Sequence, residues 1–169
     1  GAIQGQNITL ELQRITQHVS HINDFDNLPI PFRAVATDIV SGEMVELKSG
    51  SLAKSMRASM GVPAVFAPIE IDGRQLVDGG VTNNLPIDIA RSMGADVLII
   101  VDIGTPLLNK DGIVNILSVT DQLTRMLIVS NAQRQIATMT DNDLLLLPEL
   151  GEFSSADFDE AAIAIEIGY

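Results

Sequence analysis

The chain has 169 residues, enough for one domain with a sizeable buried core, and its 22 acidic against 10 basic residues give a net charge of −12. A surface of that sign repels phosphate backbones and argues against a nucleic-acid partner. With no cysteine there are no disulfides or thiolate metal sites, and no apolar run reaches the roughly 18 to 20 residues of a membrane-spanning helix. The N-terminus lacks the charged and apolar regions of a signal peptide, so the chain as it stands reads as soluble. Hydrophobic residues make up 46% and aromatic ones only 4%, which predicts an aliphatic core of the kind found in layered α/β folds.

Residues 7 to 20 read as a helix, with Ile8, Leu12, Ile15 and Val19 at helical spacing, ending before the polar "HINDFDNLP" turn. Phe32 to Val40 reads as a strand, and "SG" then leads into Met44 to Leu47 as a hairpin. Ser51 is placed to cap a helix carrying Leu52, Met56 and Met60, which Gly61 and Pro63 stop. Asp72-Gly73 is a two-residue hairpin turn between "PIEI" and "RQLV". Pro86 takes the first position of a helix through "PIDIARSMG", with Gly94 as its C-terminal cap. Val97 to Val101 is an unbroken apolar run, expected of a strand covered on both faces. Ile116, Val119, Leu123 and Leu127 mark a long helix to about Ile136, Leu144 to Leu147 a second buried strand, and residues 155 to 167 a last helix. Helices alternating with apolar strands predict a mainly parallel sheet covered on both faces. No internal repeat, low-complexity tract or linker interrupts it.

Parallel sheets bind ligands beyond the C-terminal ends of their strands. Asp78 falls at the end of "RQLV" and just before a helix, where such chemistry is expected. Gly79 and Gly80 permit positive φ and remove side-chain bulk, which lets a second backbone or a substrate approach the carboxylate. A carboxylate held there can accept the proton of a serine hydroxyl, the work histidine does in the familiar triad. Asp-Gly-Gly is also a common turn, and on these three residues alone both readings stand.

The surroundings of Asp78 extend the comparison. Asp78-Gly79-Gly80 is followed by "VTNNLPIDIARSMGADVLIIVDIG", and is preceded by "PIPFRAVATDIVSGEMVEL" and "SMRASMGVPAVFAPIEIDGRQLVDGG"; "LPELGEFSSADFDEAAIAIEIGY" closes the chain. These blocks, in this order and over nearly the whole length, resemble the patatin-like phospholipases, bacterial members in particular. The resemblance implies a serine acyl hydrolase with a Ser-Asp dyad that cleaves phospholipid, lysophospholipid or neutral lipid esters without metal or organic cofactor. Asp78 matches the base of that dyad. The family's Gly-x-Ser-x-Gly elbow and glycine-rich oxyanion loop do not occur in these residues. Residues 1–169 therefore resemble the C-terminal portion of a single patatin-like domain, a three-layer α/β/α fold with a mainly parallel sheet whose N-terminal nucleophile-bearing part is absent, and the chain alone is expected to be inactive.

Arg57-Ala58-Ser59-Met60-Gly61 is a near match to the elbow, but it has arginine where the first glycine belongs and lies in a helical segment, which argues against Ser59 as nucleophile. In the family this block leads into the substrate-facing segment, so the resemblance assigns Ser59, Met60, Pro63, Val65 and Phe66 to an acyl pocket, with core packing as the other reading of the apolar members. Asn83 and Asn84 are suited to holding the Asp78 loop by side-chain to backbone hydrogen bonds. Asp38 and Asp102 also sit at strand ends, where carboxylates cap loops. His18 and His21 lack an acidic neighbour at ligand spacing and read as a solvated helix end, and "TDNDL" reads as a turn rather than a calcium loop. The partners implied are a lipid or ester substrate, a peripheral membrane contact, and self-association through exposed apolar surface. The resemblance leaves localisation open, since bacterial members occur as cytoplasmic proteins and as passengers of outer-membrane proteins; the cytoplasm is the first expectation, and the cell envelope or a secreted passenger domain the alternative. A reading of another class also stands, a non-catalytic lipid-binding or protein-interaction module.

Overall fold

A computed structural model describes residues 2–63, 66–104, 106–151 and 161–168. The chain divides into two compact units, Gly1–Asn84 and Leu85–Tyr169.

The first unit opens with α1 (Ala2–Thr16), which tightens into a short 3-10 turn at Gln17–Val19. The helix starts at Ala2, five residues ahead of the expected residue 7. Strands β1 (Ala34–Asp38) and β2 (Met44–Leu47) form the expected hairpin. Ser51 caps α2 (Leu52–Ser59), its hydroxyl accepting the Lys54 N–H at 3.4 Å. Strands β3 (Ile69–Ile71) and β4 (Arg74–Asp78) flank Asp72 and Gly73, whose φ values of 51° and 75° are the left-handed pair that a two-residue turn needs to follow strand twist. A single turn, α3 (Gly80–Asn83), follows at once.

The sheet order is β2-β1-β4-β3, and each pairing is antiparallel. The mainly parallel sheet expected from the sequence is thus corrected for this unit. Tight turns make the pairings within each hairpin, β1–β2 and β3–β4, antiparallel, and β1–β4 joins the two hairpins in the same sense. β1 is buried along its whole length as a central strand. Its Ala34 and Ala36 meet Leu47, Leu76 and Ala58 of α2 in the core, and α1 packs on α2.

The second unit contains α4 (Ile87–Ser92), β5 (Ile99–Val101), α5 (Ile116–Ile136), β6 (Leu144–Leu146) and α6 (Ala161–Ile167). Pro86 stands one residue before α4 rather than inside it, and Gly94 ends the helix at φ 92° as expected. β5 and β6 pair in parallel, with α5 in the connection. Leu98, Ile100, Leu85, Ile87 and Ala132 form the second core. The two-sided burial expected of both strands is not found: Ile99 is 71% and Leu144 51% exposed, because α4 and α5 supply apolar partners to one face only. Residues 152–160, the first part of the expected last helix, lie outside the described residues. No helix among the described residues is long and apolar enough to cross a membrane.

Candidate active site

Asp78 is the last residue of β4, opposite Ala36 of β1. Its peptide groups are fixed from two sides. The N–H donates to the Gly61 carbonyl at 3.0 Å, and the carbonyl accepts the Thr37 hydroxyl at 2.9 Å. The Thr37 and Thr82 hydroxyls are in hydrogen-bond contact at 2.9 Å, which ties α3 back to β1. The half-buried carboxylate accepts the Gly80 N–H on Oδ1 at 2.7 Å. Burial pushes its pKa above the ordinary aspartate value, and the Gly80 hydrogen bond offsets part of that rise. No basic side chain among the described residues pairs with it. The ion pairs found use Glu11, Asp26, Glu46, Asp121 and Asp143 instead.

Gly79 has an ordinary right-handed backbone, φ −69° and ψ −19°, and Gly80 is not left-handed either. Their expected use of positive φ is corrected: what counts is the missing side chain. A Cβ on Gly79 would stand 2.3 Å from the Val35 carbonyl oxygen, so only glycine lets the corner close on β1. A Cβ on Gly80 would stand 2.9 Å from Asn84 Oδ1 and 3.1 Å from Asp78 Oδ1. Asn84 thus covers Gly80, and the buried Asn83 reaches β2, its Nδ2 donating to Met44 Sδ at 3.3 Å.

Gly61 joins the turn after α2 directly to Asp78, and so brings one end of the expected acyl-pocket segment to the Asp78 backbone. Ser59 is in the last turn of α2 and Met60 caps it; no strand runs into Ser59 as an elbow requires. Pro63 and Phe66 are half-buried, and Val65 lies outside the described residues. The Phe66 N–H donates to the Val62 carbonyl at 3.0 Å, and its ring centroid is 4.6 Å from Arg57 Cζ. A cavity of about 490 Å³ lies along α1 beside Arg57, Ala67, Pro68 and Ile69 and does not include Asp78.

Asp38 and Asp102 cap their own loops, accepting the Val40 N–H at 3.0 Å and the Gly104 N–H at 2.8 Å. His18 and His21 are exposed, and no group of three His, Cys, Asp or Glu among the described residues is placed to hold a metal. Sequence reasoning missed Thr37, which meets Asp78 only through strand register, and Thr82, which meets Thr37. It treated Arg57 only as an obstacle at a would-be elbow, and nothing in the local sequence shows that its side chain is buried.

A chain of this geometry has known relatives. The family profile described as patatin-like phospholipase matches residues 7–91. An uncharacterized NTE family protein of Mycobacterium tuberculosis is 44% identical over 78 residues, covering 46% of this chain and 22% of the relative. Patatin-like phospholipase domain-containing protein 7 of Mus musculus is 30% identical over 172 residues, covering 85% and 12%. Patatin-like phospholipase domain-containing protein 6 of Homo sapiens is 42% identical over 94 residues, covering 54% and 7%. The chain therefore spans between 7% and 22% of the length of these curated relatives. With about half of its residues matched by the family profile, Asp78 and its two glycines among them, the chain belongs to the patatin-like phospholipase family.

Proposed function

We propose that this chain supplies the base of a serine acyl hydrolase acting on lipid esters, with Asp78 as the carboxylate of a Ser-Asp dyad whose serine lies upstream in the natural protein. The observation that carries the reading is the state of Asp78: half-buried, raised in pKa, without a cationic partner, and backed by a glycine that no other residue can replace. More basic than a solvated aspartate, such a group is matched to taking a proton from a hydroxyl. The serine oxygen adds to the ester carbonyl carbon while Asp78 takes its proton. The proton passes to the departing alkoxide as the carbon–oxygen bond breaks, leaving an acyl-serine. Water then adds to the acyl carbon, gives its proton to Asp78, and the proton returns to the serine oxygen as the fatty acid leaves. No metal or cofactor takes part in these steps. Met60, Pro63 and Phe66, on the segment that Gly61 joins to Asp78, are assigned to the acyl side.

A fluorophosphonate probe, which labels only activated serines, tests this. The full-length protein is expected to form one adduct upstream of these residues, and the isolated 169-residue chain none. An adduct on Ser59 would contradict the assignment. A second reading, a module that binds lipid or protein without cleaving, is supported by the open apolar face around Ile99 and Leu144. It predicts self-association or liposome binding by the isolated chain and no labelling of the full-length protein.

A further inference from the structure

Arg57 is 5% exposed, the only basic side chain among the described residues to be so buried. Arg33, also largely buried, has two carboxylates, Asp26 at 2.7 Å and Glu46 at 2.8 Å. Among the described residues Arg57 has none. Its Nη2 donates to the Ala67 carbonyl at 3.3 Å, its guanidinium lies over the Phe66 ring, and its Nη1 is buried without a hydrogen-bond partner. Burying a cation without a counter-ion is costly, and burial here lowers the Arg57 pKa from the ordinary arginine value. The same side chain forms part of the wall of the 490 Å³ cavity along α1. That volume lies in the range of small-molecule sites, and Arg57 is the one charged residue in the lining. Leu10, Pro68 and Ile69 give it apolar walls, while the exposed Gln6 and Gln13 are neutral. Gly5, a poor helix former within α1, also lines the cavity; a Cβ there would stand 3.3 Å from Nη2, a contact that glycine spares the guanidinium.

We propose that this cavity binds a medium-chain fatty acid anion, its carboxylate paired with the Arg57 guanidinium and its chain lying against Leu10, Pro68 and Ile69. One cation and no acidic group in the lining match a single negative charge. A planar guanidinium meets a carboxylate with parallel N–H bonds, whereas a phosphate would bring a second charge that nothing in the lining balances. Apolar walls take up the chain, which a bare anion would leave uncovered. All of these residues belong to the first unit, and the cavity does not include Asp78, so the site stands whether or not the chain serves a hydrolase.

The test uses the full-length protein, with octanoate and octanol as probes and calorimetry as the readout, in wild type, Arg57→Met, Arg57→Lys and Gln6→Glu. Wild type is expected to bind octanoate about tenfold more tightly than octanol, the margin that a charge-assisted hydrogen bond supplies. Arg57→Met removes that margin, and Arg57→Lys keeps part of it. Gln6→Glu puts a carboxylate of the protein's own into the cavity, and is expected to weaken octanoate about tenfold while octanol changes less than about twofold. Gln6 is exposed, so this variant carries the test should Arg57→Met fail to fold. A diazirine-bearing octanoate, crosslinked by light, is expected to mark peptides holding residues 5–13 or 67–69. Equal affinity for octanoate and octanol in wild type, octanoate binding undiminished by Gln6→Glu or by a folded Arg57→Met, or crosslinks confined to other peptides would overturn the proposal. Inorganic phosphate that displaces octanoate at equal concentration would overturn it too, by showing a site for any small anion and not for an acyl chain.

Discussion

Asp78 and Asp143 each adjoin a strand of their own unit, Asp78 closing β4 and Asp143 standing just before β6, and are held in opposite ways. The Asp143 side chain is closed off from solvent and saturated with donors: the Thr140 N–H at 2.7 Å, the Thr140 hydroxyl at 3.0 Å, the Leu98 N–H at 2.9 Å and the Arg91 guanidinium. The Thr140 N–H, with help from Arg91 and Leu98, outweighs burial and holds its pKa at about 2. Asp78 accepts one N–H, and burial wins. A saturated carboxylate is a latch, which here joins the loop before β6 to β5 and α4. A buried carboxylate left short of donors keeps its basicity. The same short hydrogen bond to the N–H two residues on occurs at Asp38, Asp78 and Asp102, so that local turn does not mark the site. Of the three, only Asp78 is followed at once by a glycine whose missing side chain the fold requires.

Neutralising each carboxylate separates the two cases most sharply. Asp78→Asn keeps the acceptor for Gly80 but removes the base, and kcat/KM of the full-length protein should fall about 10³-fold. Because its folded pKa is raised, ionised Asp78 is a burden on the fold: the stability it contributes is present below the unfolded pKa and lost as pH rises through the folded one. The variant should therefore melt above wild type at pH 7, with the gap closing as both are acidified. Gly79→Ala should cost about 3 kcal/mol in denaturant unfolding, since a methyl group against the Val35 carbonyl forces β1 and β4 apart.

Asp143→Asn should behave in the reverse sense, lowering the melting temperature at pH 7 with little effect on esterase activity. Its folded pKa is depressed, so the stability it contributes is present above the unfolded value of about 3.9 and lost as pH falls from there toward about 2. A variant that melts with wild type at pH 7 would show that Asp143 is no latch. The smallest expected effect is that of Thr37→Val, about 1 kcal/mol, from loss of the hydroxyl that holds the Asp78 carbonyl.

Local chemistry made much of this legible in the sequence. Asp72-Gly73 dictated a hairpin, Ser51 a cap, Gly94 a helix end, and Asp78 a strand end before a turn. Strand direction was legible in part: the "VLIIV" strand pairs in parallel as expected, whereas β1 and β4 pair antiparallel, because an apolar run specifies burial and not the partner that provides it. The same run carried no sign that one face would lack a cover within the described residues. Thr37 reaches Asp78 across 41 residues of sequence, a contact that exists only once β1 and β4 are in register. The purpose of Gly79 was likewise hidden, since the atom it avoids belongs to Val35.

The most direct test of the central claim is the pH dependence of kcat/KM for a short-chain ester with the full-length protein. The account predicts an acid limb governed by one group with a pKa above the ordinary aspartate value of about 3.9, absent together with the activity in Asp78→Asn. Activity that persists in Asp78→Asn with the same acid limb would show that another group is the base.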